Sequence, residues 1–376
     1  MFKFPDRASL QGAAIDILSN IALDNFLRQD VCQRGGTSRI ISALDNPKLK
    51  QDPTVVCKAF AALSNLISGA SVEVLQNQDL PAPKIFVQAM AAHPQNLPIQ
   101  VGGAYALCKS KYQCLCIEKG ILFGILLIFT TTCSLTISFP SCFLTHNTSP
   151  GALSARDDSF KEDIVNSGGI TTIAEAMTRY PASRQMQARG FVVMWSCAAG
   201  SGVPKSLKVK VGQCGIVPVV NGLSAHITSE KSCEDALGCI KCLSTVTQNK
   251  ELIDDRAVDL IYACMLLHSE NSTVAKAALA ALCNVSVNVD SNQVTEITKE
   301  DLDAIVLVMR AHQDVKVVQE SAIILLRNFT FFSSNVELMA ETPFLVNLVR
   351  SAMATHNDLF QGRAEEILRC LPEPGQ

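Results

Sequence analysis

An all-α chain of stacked helical repeats is predicted by three observations. The first is an eightfold pattern aligned on one polar slot: Asn20, Asn65, Lys109, Ser196, Cys242, Asn284, Asn328 and Cys370. Six residues before each slot stands a small residue: Ala14, Ala59, Gly103, Gly190, Ala236, Ala278, Ala322 or Ala364. Two before it stands a large apolar one: Leu18, Leu63, Leu107, Met194, Ile240, Leu282, Leu326 or Leu368. The second observation is the period of ~44 residues, which belongs to helical solenoids. The third is composition: 48% hydrophobic but only 6% aromatic, which suits helices packed through Leu, Val, Ile and Ala. By length alone, 376 residues would suggest two or three domains, but a repeat array overrides that count.

One unit shows the order of elements. Val306, Leu307 and Met309 close an amphipathic helix, and Arg310 to Asp314 form a polar turn. Val318, Ala322, Leu325, Leu326 and Phe329 then fall on one helical face. Ser333-Ser334-Asn335 breaks that helix, and Asn335 to Met339 fits a short one before the next unit begins at Pro343. Second helices of other units read from Gly168 to Met177, Gly215 to Leu223 and Asp301 to Met309. A Gly pair such as Gly168-Gly169 supplies the dihedrals that the sharp turn between short and long helix needs. The small residue before the slot lets neighbouring helices approach to ~8–10 Å.

This three-helix unit resembles the armadillo repeat. Gly35-Gly-Thr-Ser-Arg-Ile-Ile-Ser-Ala-Leu44 and Ala59-Phe-Ala-Ala-Leu-Ser-Asn-Leu66 carry the resemblance, as do Ala278-Leu-Ala-Ala-Leu-Cys-Asn-Val285 and Ala322-Ile-Ile-Leu-Leu-Arg-Asn-Phe329. The resemblance implies a right-handed α-solenoid of about seven to eight repeats that acts as a protein-binding scaffold. Many partners are served by that family, so it does not name one. Ala89-Met-Ala-Ala-His93 and Ala176-Met-Thr-Arg-Tyr180 are similar to variants in armadillo arrays of large multidomain proteins.

One segment breaks the register. The interval from Lys109 to Ser196 is two periods, yet it contains only one repeat's worth of pattern. Removing Ser110–Leu153 restores a single period. The expected organisation is therefore repeats over 1–109, an apolar insert over 110–153, repeats again over 154–371 and a tail over 372–376. Within the insert, Gly120 to Phe139 is uncharged and long enough to span a bilayer. Three readings compete: a transmembrane helix, a long loop, or the translation of a retained intron. The third is favoured, because a membrane span would divide one repeat between two sides, and an exposed apolar loop would promote aggregation. The array is expected to be truncated at both ends, since Ala13 already lies in the last helix of a unit.

A net charge of −3 and a pI of about 6.1 exclude a strongly basic nucleic-acid surface. Fifteen cysteines, odd in number and without repeated spacing, do not read as a disulfide framework. A reducing compartment follows, cytoplasmic or nuclear. Met1-Phe-Lys-Phe-Pro-Asp-Arg7 has no apolar run of a signal peptide.

Catalytic, cofactor and metal sites are not expected. Ala199-Gly-Ser-Gly-Val-Pro-Lys-Ser206 has a Lys-Ser pair, but Pro204 removes an N–H that a phosphate loop needs. His93, His226, His268 and His312 recur sixteen before their slots, with Tyr180 in the same place and His356 slightly out of register. Repeats ~8–10 Å apart cannot share one metal, whose ligands must converge at ~2 Å. Helix C-termini, with end carbonyls to satisfy, are the expected setting for these histidines.

The armadillo resemblance implies that Asn20, Asn65, Asn284 and Asn328 hold the backbone of an extended peptide. Lys109, Ser196 and Cys242 interrupt that ladder. The tryptophans that nuclear-import adaptors carry four before each slot are absent, those places being Asp16, Ala61, Tyr105, Val192, Gly238, Ala280 and Ile324. Trp195 stands one before its slot, as do Lys241, Arg327 and Arg369. Cations there suit an acidic or phosphorylated peptide. The expected function is a non-enzymatic protein or peptide scaffold. Alternatives are a regulatory segment of a larger protein such as a kinase, and a membrane-attached scaffold if Gly120–Phe139 is a true anchor.

Overall fold

The computed structural model describes residues 1, 3–67, 81–117, 158–200, 202–288, 293–294, 296–342, 344–356 and 361–371. The chain is an all-α solenoid of armadillo-like repeats, divided into two compact units, Met1–Leu207 and Lys208–Gln376. The first unit contains α1 (Ala8–Ile21), α2 (Asn25–Gln33), α3 (Gly36–Asp45), a 3₁₀ turn (Leu49–Gln51), α4 (Pro53–Ile67), α5 (Ala82–Ala92) and α6 (Leu97–Ile117). It continues with α7 (Asp158–Asn166), α8 (Gly169–Arg179) and α9 (Arg184–Ala198).

The slot-bearing helices α1, α4, α6 and α9 stack in that order. α6 and α9 are direct neighbours: Arg189 lies over the Tyr105 ring at 4.7 Å, and Cys108 Sγ approaches the Arg189 carbonyl at 3.6 Å. Helix α6 runs past Lys109 to Ile117. The rest of the expected insert, including Gly120 to Phe139, lies outside the described residues, as does the tail over 372–376.

The second unit opens within α10 (Lys205–Ala225) and continues with α11 (Glu230–Leu243), α12 (Thr247–Lys250), α13 (Asp255–Leu267) and α14 (Ser272–Val285). There follow α15 (Lys299–Ala311), α16 (Lys316–Phe329), α17 (Ser333–Glu341), α18 (Leu345–Thr355) and α19 (Gln361–Cys370). Its slot helices α11, α14, α16 and α19 again stack successively. Where other units place a short first helix, β1 (Val287–Asn288) pairs antiparallel with β2 (Gln293–Val294).

Local chemistry explains the boundaries. Asp24, Ser183, Ser229, Asp254 and Asn271 each accept a backbone N–H at a helix start, and Thr298 with Asp301 forms a reciprocal capping box. Gly35 and Gly168 turn the corner into α3 and α8 with φ of 77° and 82°. At the corresponding corner before α18 stands Phe344, at φ 67°.

The second helix expected to begin at Gly215 begins earlier. α10 is continuous from Lys205 to Ala225 with Pro218 inside it. Proline within a helix costs about 3 kcal/mol. Burial of Ile216, Val219, Val220 and Leu223 along the same helix offsets that cost. Gly212 serves a close approach in α10, since a Cβ there would lie 2.2 Å from Asn249 Oδ1.

The small residue six before each slot packs against the preceding helix. A Cβ on Gly103 would meet Met90 Cγ at 2.4 Å, and one on Gly190 would meet Met177 Sδ at 2.2 Å. Met265 and Met309 hold the same place before Ala278 and Ala322, and all four are fully buried.

Candidate partner-binding face

Whereas α6 buries Val101, Tyr105 and Cys108, the slot helices α9, α14 and α16 each leave a narrow strip partly open. On α9 it comprises Ala188, Arg189, Val192 and Trp195; on α14, Lys276, Ala277, Ala280, Cys283 and Asn284; on α16, Glu320, Ser321, Ile324, Arg327 and Asn328. These positions recur one turn apart on a single helical face.

The slot asparagines join consecutive helices. Asn284 Nδ2 donates to the Lys241 carbonyl at 2.9 Å, and Asn328 Nδ2 to the Cys283 carbonyl at 3.2 Å. Asn65 Nδ2 reaches Ser19 Oγ at 3.0 Å and the Ser19 carbonyl at 3.4 Å. In every case the acceptor residue stands one before the preceding slot. The last carbonyls of a helix have no partner within it, and a short amide from the next helix satisfies one of them. Asn65 is buried, Asn284 and Asn328 are half-buried, and Asn20 is exposed. Neither Asn284 Oδ1 nor Asn328 Oδ1 accepts a hydrogen bond from the described residues.

The charges divide into paired and unpaired. Arg327 Nε bridges to Glu366 on the next slot helix and its guanidinium covers the Phe331 ring at 5.2 Å. Arg327 holds the Glu366 carboxyl below the ordinary carboxylate range. Lys58 pairs with Asp16 at 2.6 Å across α4 and α1. Lys241 is exposed and has no carboxylate partner among the described residues. Burial pushes the Cys283 thiol up to about 12. Trp195 is half-buried, and its indole N–H is enclosed with no acceptor among the described residues.

The periodic histidines lie at the opposite end of the repeats, each as the residue that ends a second helix. His93, Tyr180, His268, His312 and His356 close α5, α8, α13, α15 and α18. Their side chains bond the preceding repeat: His268 to Ile227, His312 to Ser269 and His356 to Gln313, at 2.7, 2.7 and 2.9 Å. His93 bonds the Lys50 carbonyl at 2.7 Å, and the Tyr180 hydroxyl donates to Pro94 at 3.3 Å. Among the described residues no cluster of three metal-ligating side chains occurs. No described helix is long and apolar enough to cross a membrane.

A glutamine set escaped the reading of the sequence. Gln100, Gln187 and Gln319 stand nine before their slots and are buried. Gln100 Nε2 donates to Met90 and His93 carbonyls at 2.8 and 3.0 Å. Gln187 does so to Met177 and Tyr180, and Gln319 to Met309 and His312. Equal spacing was the signal that would have found them.

No family model and no curated protein matches the chain. Solved structures do. One, titled for a conserved phosphorylation switch controlling the interaction between cadherin and beta-catenin, aligns at TM-score 0.68 and 12% identity over 98% of this chain and 65% of that one. A designed armadillo repeat protein aligns at 0.51 and 18%, over 75% of this chain and 95% of its own. An engineered protein aligns at 0.51 and 18%, over 77% and 94%. These likenesses establish the armadillo-repeat fold.

Proposed function

We propose that the chain is a non-enzymatic protein-binding scaffold that holds an extended peptide along its slot helices. The observation that carries this reading is the state of Asn284 and Asn328. Each amide nitrogen is fixed to the helix before it. That orients the side chain while leaving Oδ1 without a donor among the described residues. Neighbouring slot helices pack ~8–10 Å apart. Extended chain advances ~3.4 Å per residue, so N–H groups on one side recur about every 7 Å. Two such groups fit two successive asparagines. Lys241 offers an uncompensated cation for an acidic or phosphorylated side chain, whereas Arg327 is shared with Glu366. One structural neighbour concerns the interaction between cadherin and beta-catenin, which is consistent with a partner-binding role. A reducing compartment, cytoplasm or nucleus, suits the free thiols of the described residues.

The test is selection from a displayed random-peptide library, followed by affinity measurement on variants. Asn284→Ala with Asn328→Ala should weaken the selected peptide at least tenfold, about 1.4 kcal/mol. His312→Ala is the control, because it breaks an inter-repeat bond away from the strip. Equal affinity losses in the two proteins, at matched stability, would overturn the peptide-holding role.

A further inference from the structure

Helix α1 turns outward a face that the later slot helices bury. Leu10 and Ile17 stand ten and three before the slot and are 44% and 59% exposed. Val55, Met186, Val274 and Val318 hold the place of Leu10, and Val193, Leu325 and Ile367 that of Ile17; each is at most 2% exposed. In those helices the face packs on the repeat before: a Cβ on Gly12 of α1 would lie 3.9 Å from Val55 Cγ2 of α4. On α1 the face is also concave around Leu10, where Phe4, Arg7, Ser9, Leu10 and Ala13 line an open hollow of about 460 Å³. One turn beyond Ala13, Ile17 projects as the most exposed large apolar side chain of the helix.

The last slot helix is no complement to this face. Phe60, five before its slot, meets the following slot helix, since a Cβ on Gly102 would lie 2.8 Å from Phe60 Cβ. That place is apolar and buried from Ile15 on α1 to Ile323 on α16. On α19 it is Glu365, which is exposed together with Arg363 and Arg369. Head-to-tail stacking of two copies would therefore set charged groups against Leu10 and Ile17.

We propose that α1 is the interface of a two-fold dimer, its occupant being α1 of a second copy of this chain. A two-fold interface uses the same patch on both copies, so the patch must complement itself. α1 does so about the point between Ala13 and Ala14 when the two helices run antiparallel. Residues equally far from that point then face each other. Leu10 faces Ile17 of the second copy, whose side chain enters the hollow, and the same occurs across the axis. Ala13 and Ala14 at the crossing let the helices approach to ~8–10 Å. Lys3 lies as far from the midpoint as Asp24, and both are exposed. Asp24 uses Oδ1 for the amides of Phe26 and Leu27, which leaves Oδ2 for the cation. Arg7 falls opposite Asn20, at the C-terminal end of the other α1, where the helix dipole favours positive charge. A parallel pair would instead set Lys3 against Lys3 and Asp24 against Asp24. The face is one helix wide, so the dimer dissociates in the micromolar range.

The test uses the full chain. Sedimentation velocity from about 1 to about 100 μM should show a monomer–dimer equilibrium and no larger species. Equal amounts of unlabelled and isotope-labelled chain are then mixed and treated with a carbodiimide, which joins an amine to a carboxylate in contact. Lys3 is expected to couple to Asp24, with mixed products as frequent as unmixed ones, because the two groups stand at opposite ends of α1. Lys48 and Asp6, 2.6 Å apart within one chain, should couple without mixing. Ile17→Lys should weaken the dimer roughly a hundredfold, because a cation would enter an apolar hollow beside Arg7. The unfolding midpoint of the dilute monomer should stay unchanged, since Ile17 is exposed. A monomer at every concentration would overturn the proposal and leave the face to a different protein. A dimer indifferent to Ile17→Lys, a Lys3–Asp24 product that never mixes, or growth past the dimer would overturn it too. The cross-link needs no variant, so it decides the matter even where Ile17→Lys fails to fold.

Discussion

His312 Nε2 lies 2.7 Å from the carbonyl oxygen of Ser269, the residue that follows His268, its counterpart one repeat earlier. The same relation joins His268 to Ile227 after His226, Tyr180 to Pro94 after His93, and His356 to Gln313 after His312. In a quasi-one-dimensional array each repeat contacts only its neighbours, so stability is a sum of units and interfaces. These rungs are interface contributions. They sit at the ends of the second helices, while the asparagine links sit at the ends of the slot helices.

His312→Ala should lower unfolding stability by about 1 kcal/mol, since the ring is buried and the Ser269 carbonyl loses its donor. His356→Ala should cost less than half of that, because its bond is exposed and water replaces the ring. Urea titrations of the two variants give the comparison. Equal losses would show that burial does not set the strength of a rung.

Gln319→Leu should be costlier. Its amide satisfies two helix-end carbonyls at once, those of Met309 and His312, at 2.9 and 2.8 Å in a buried site. Removing it leaves both acceptors without a donor, for a loss of about 2–3 kcal/mol. The double variant with His312→Ala should be non-additive, because both residues organise the same turn.

What the sequence made legible depended on side chains carrying their own signature. Gly35 and Gly168 mark corners because only glycine takes that backbone cheaply, and the Met-against-small pairing follows from volume. The histidines were legible as helix ends. Their acceptors were not, because a backbone carbonyl leaves no mark in a sequence, and the ring turns to the preceding repeat instead of its own helix. For the same reason the asparagine pattern showed a recurring amide but not its bond to Lys241 or Cys283. The Arg327 pairing with Glu366 was hidden because their separation reflects stacking, not local periodicity. At Gly215 a glycine alone misled, since the neighbouring buried side chains favour one continuous helix.

Tyr105 should make stability fall in strong base. Burial pushes its phenol from the ordinary 10 up to about 12. The folded chain therefore keeps a proton that the unfolded chain releases. Its contribution is fully present below pH 10 and is lost as pH rises toward 12. One such proton changes stability by up to about 1.4 kcal/mol per pH unit. Tyr105→Phe should flatten the decline measured by urea titration across that window, while still stacking under Arg189. An unchanged slope would assign the base sensitivity elsewhere.

Phe344→Gly should stabilise the chain. Phe344 adopts φ 67° where equivalent corners use Gly35 and Gly168, and its side chain is 63% exposed. An L-residue in the left-handed region costs about 1–2 kcal/mol. The ring recovers part of that by lying under Arg310 at 5.2 Å, which contributes about 0.5 kcal/mol at an exposed site. Glycine also gains freedom in the unfolded chain, which opposes the benefit. The net expectation is a small gain, up to about 1 kcal/mol, for Phe344→Gly. Phe344→Ala keeps the strained backbone and loses the stacking, so it should be destabilised. The two variants are thus expected to move the urea midpoint in opposite directions. A shift in the same direction for both would mean that the ring, and not the backbone, governs this corner.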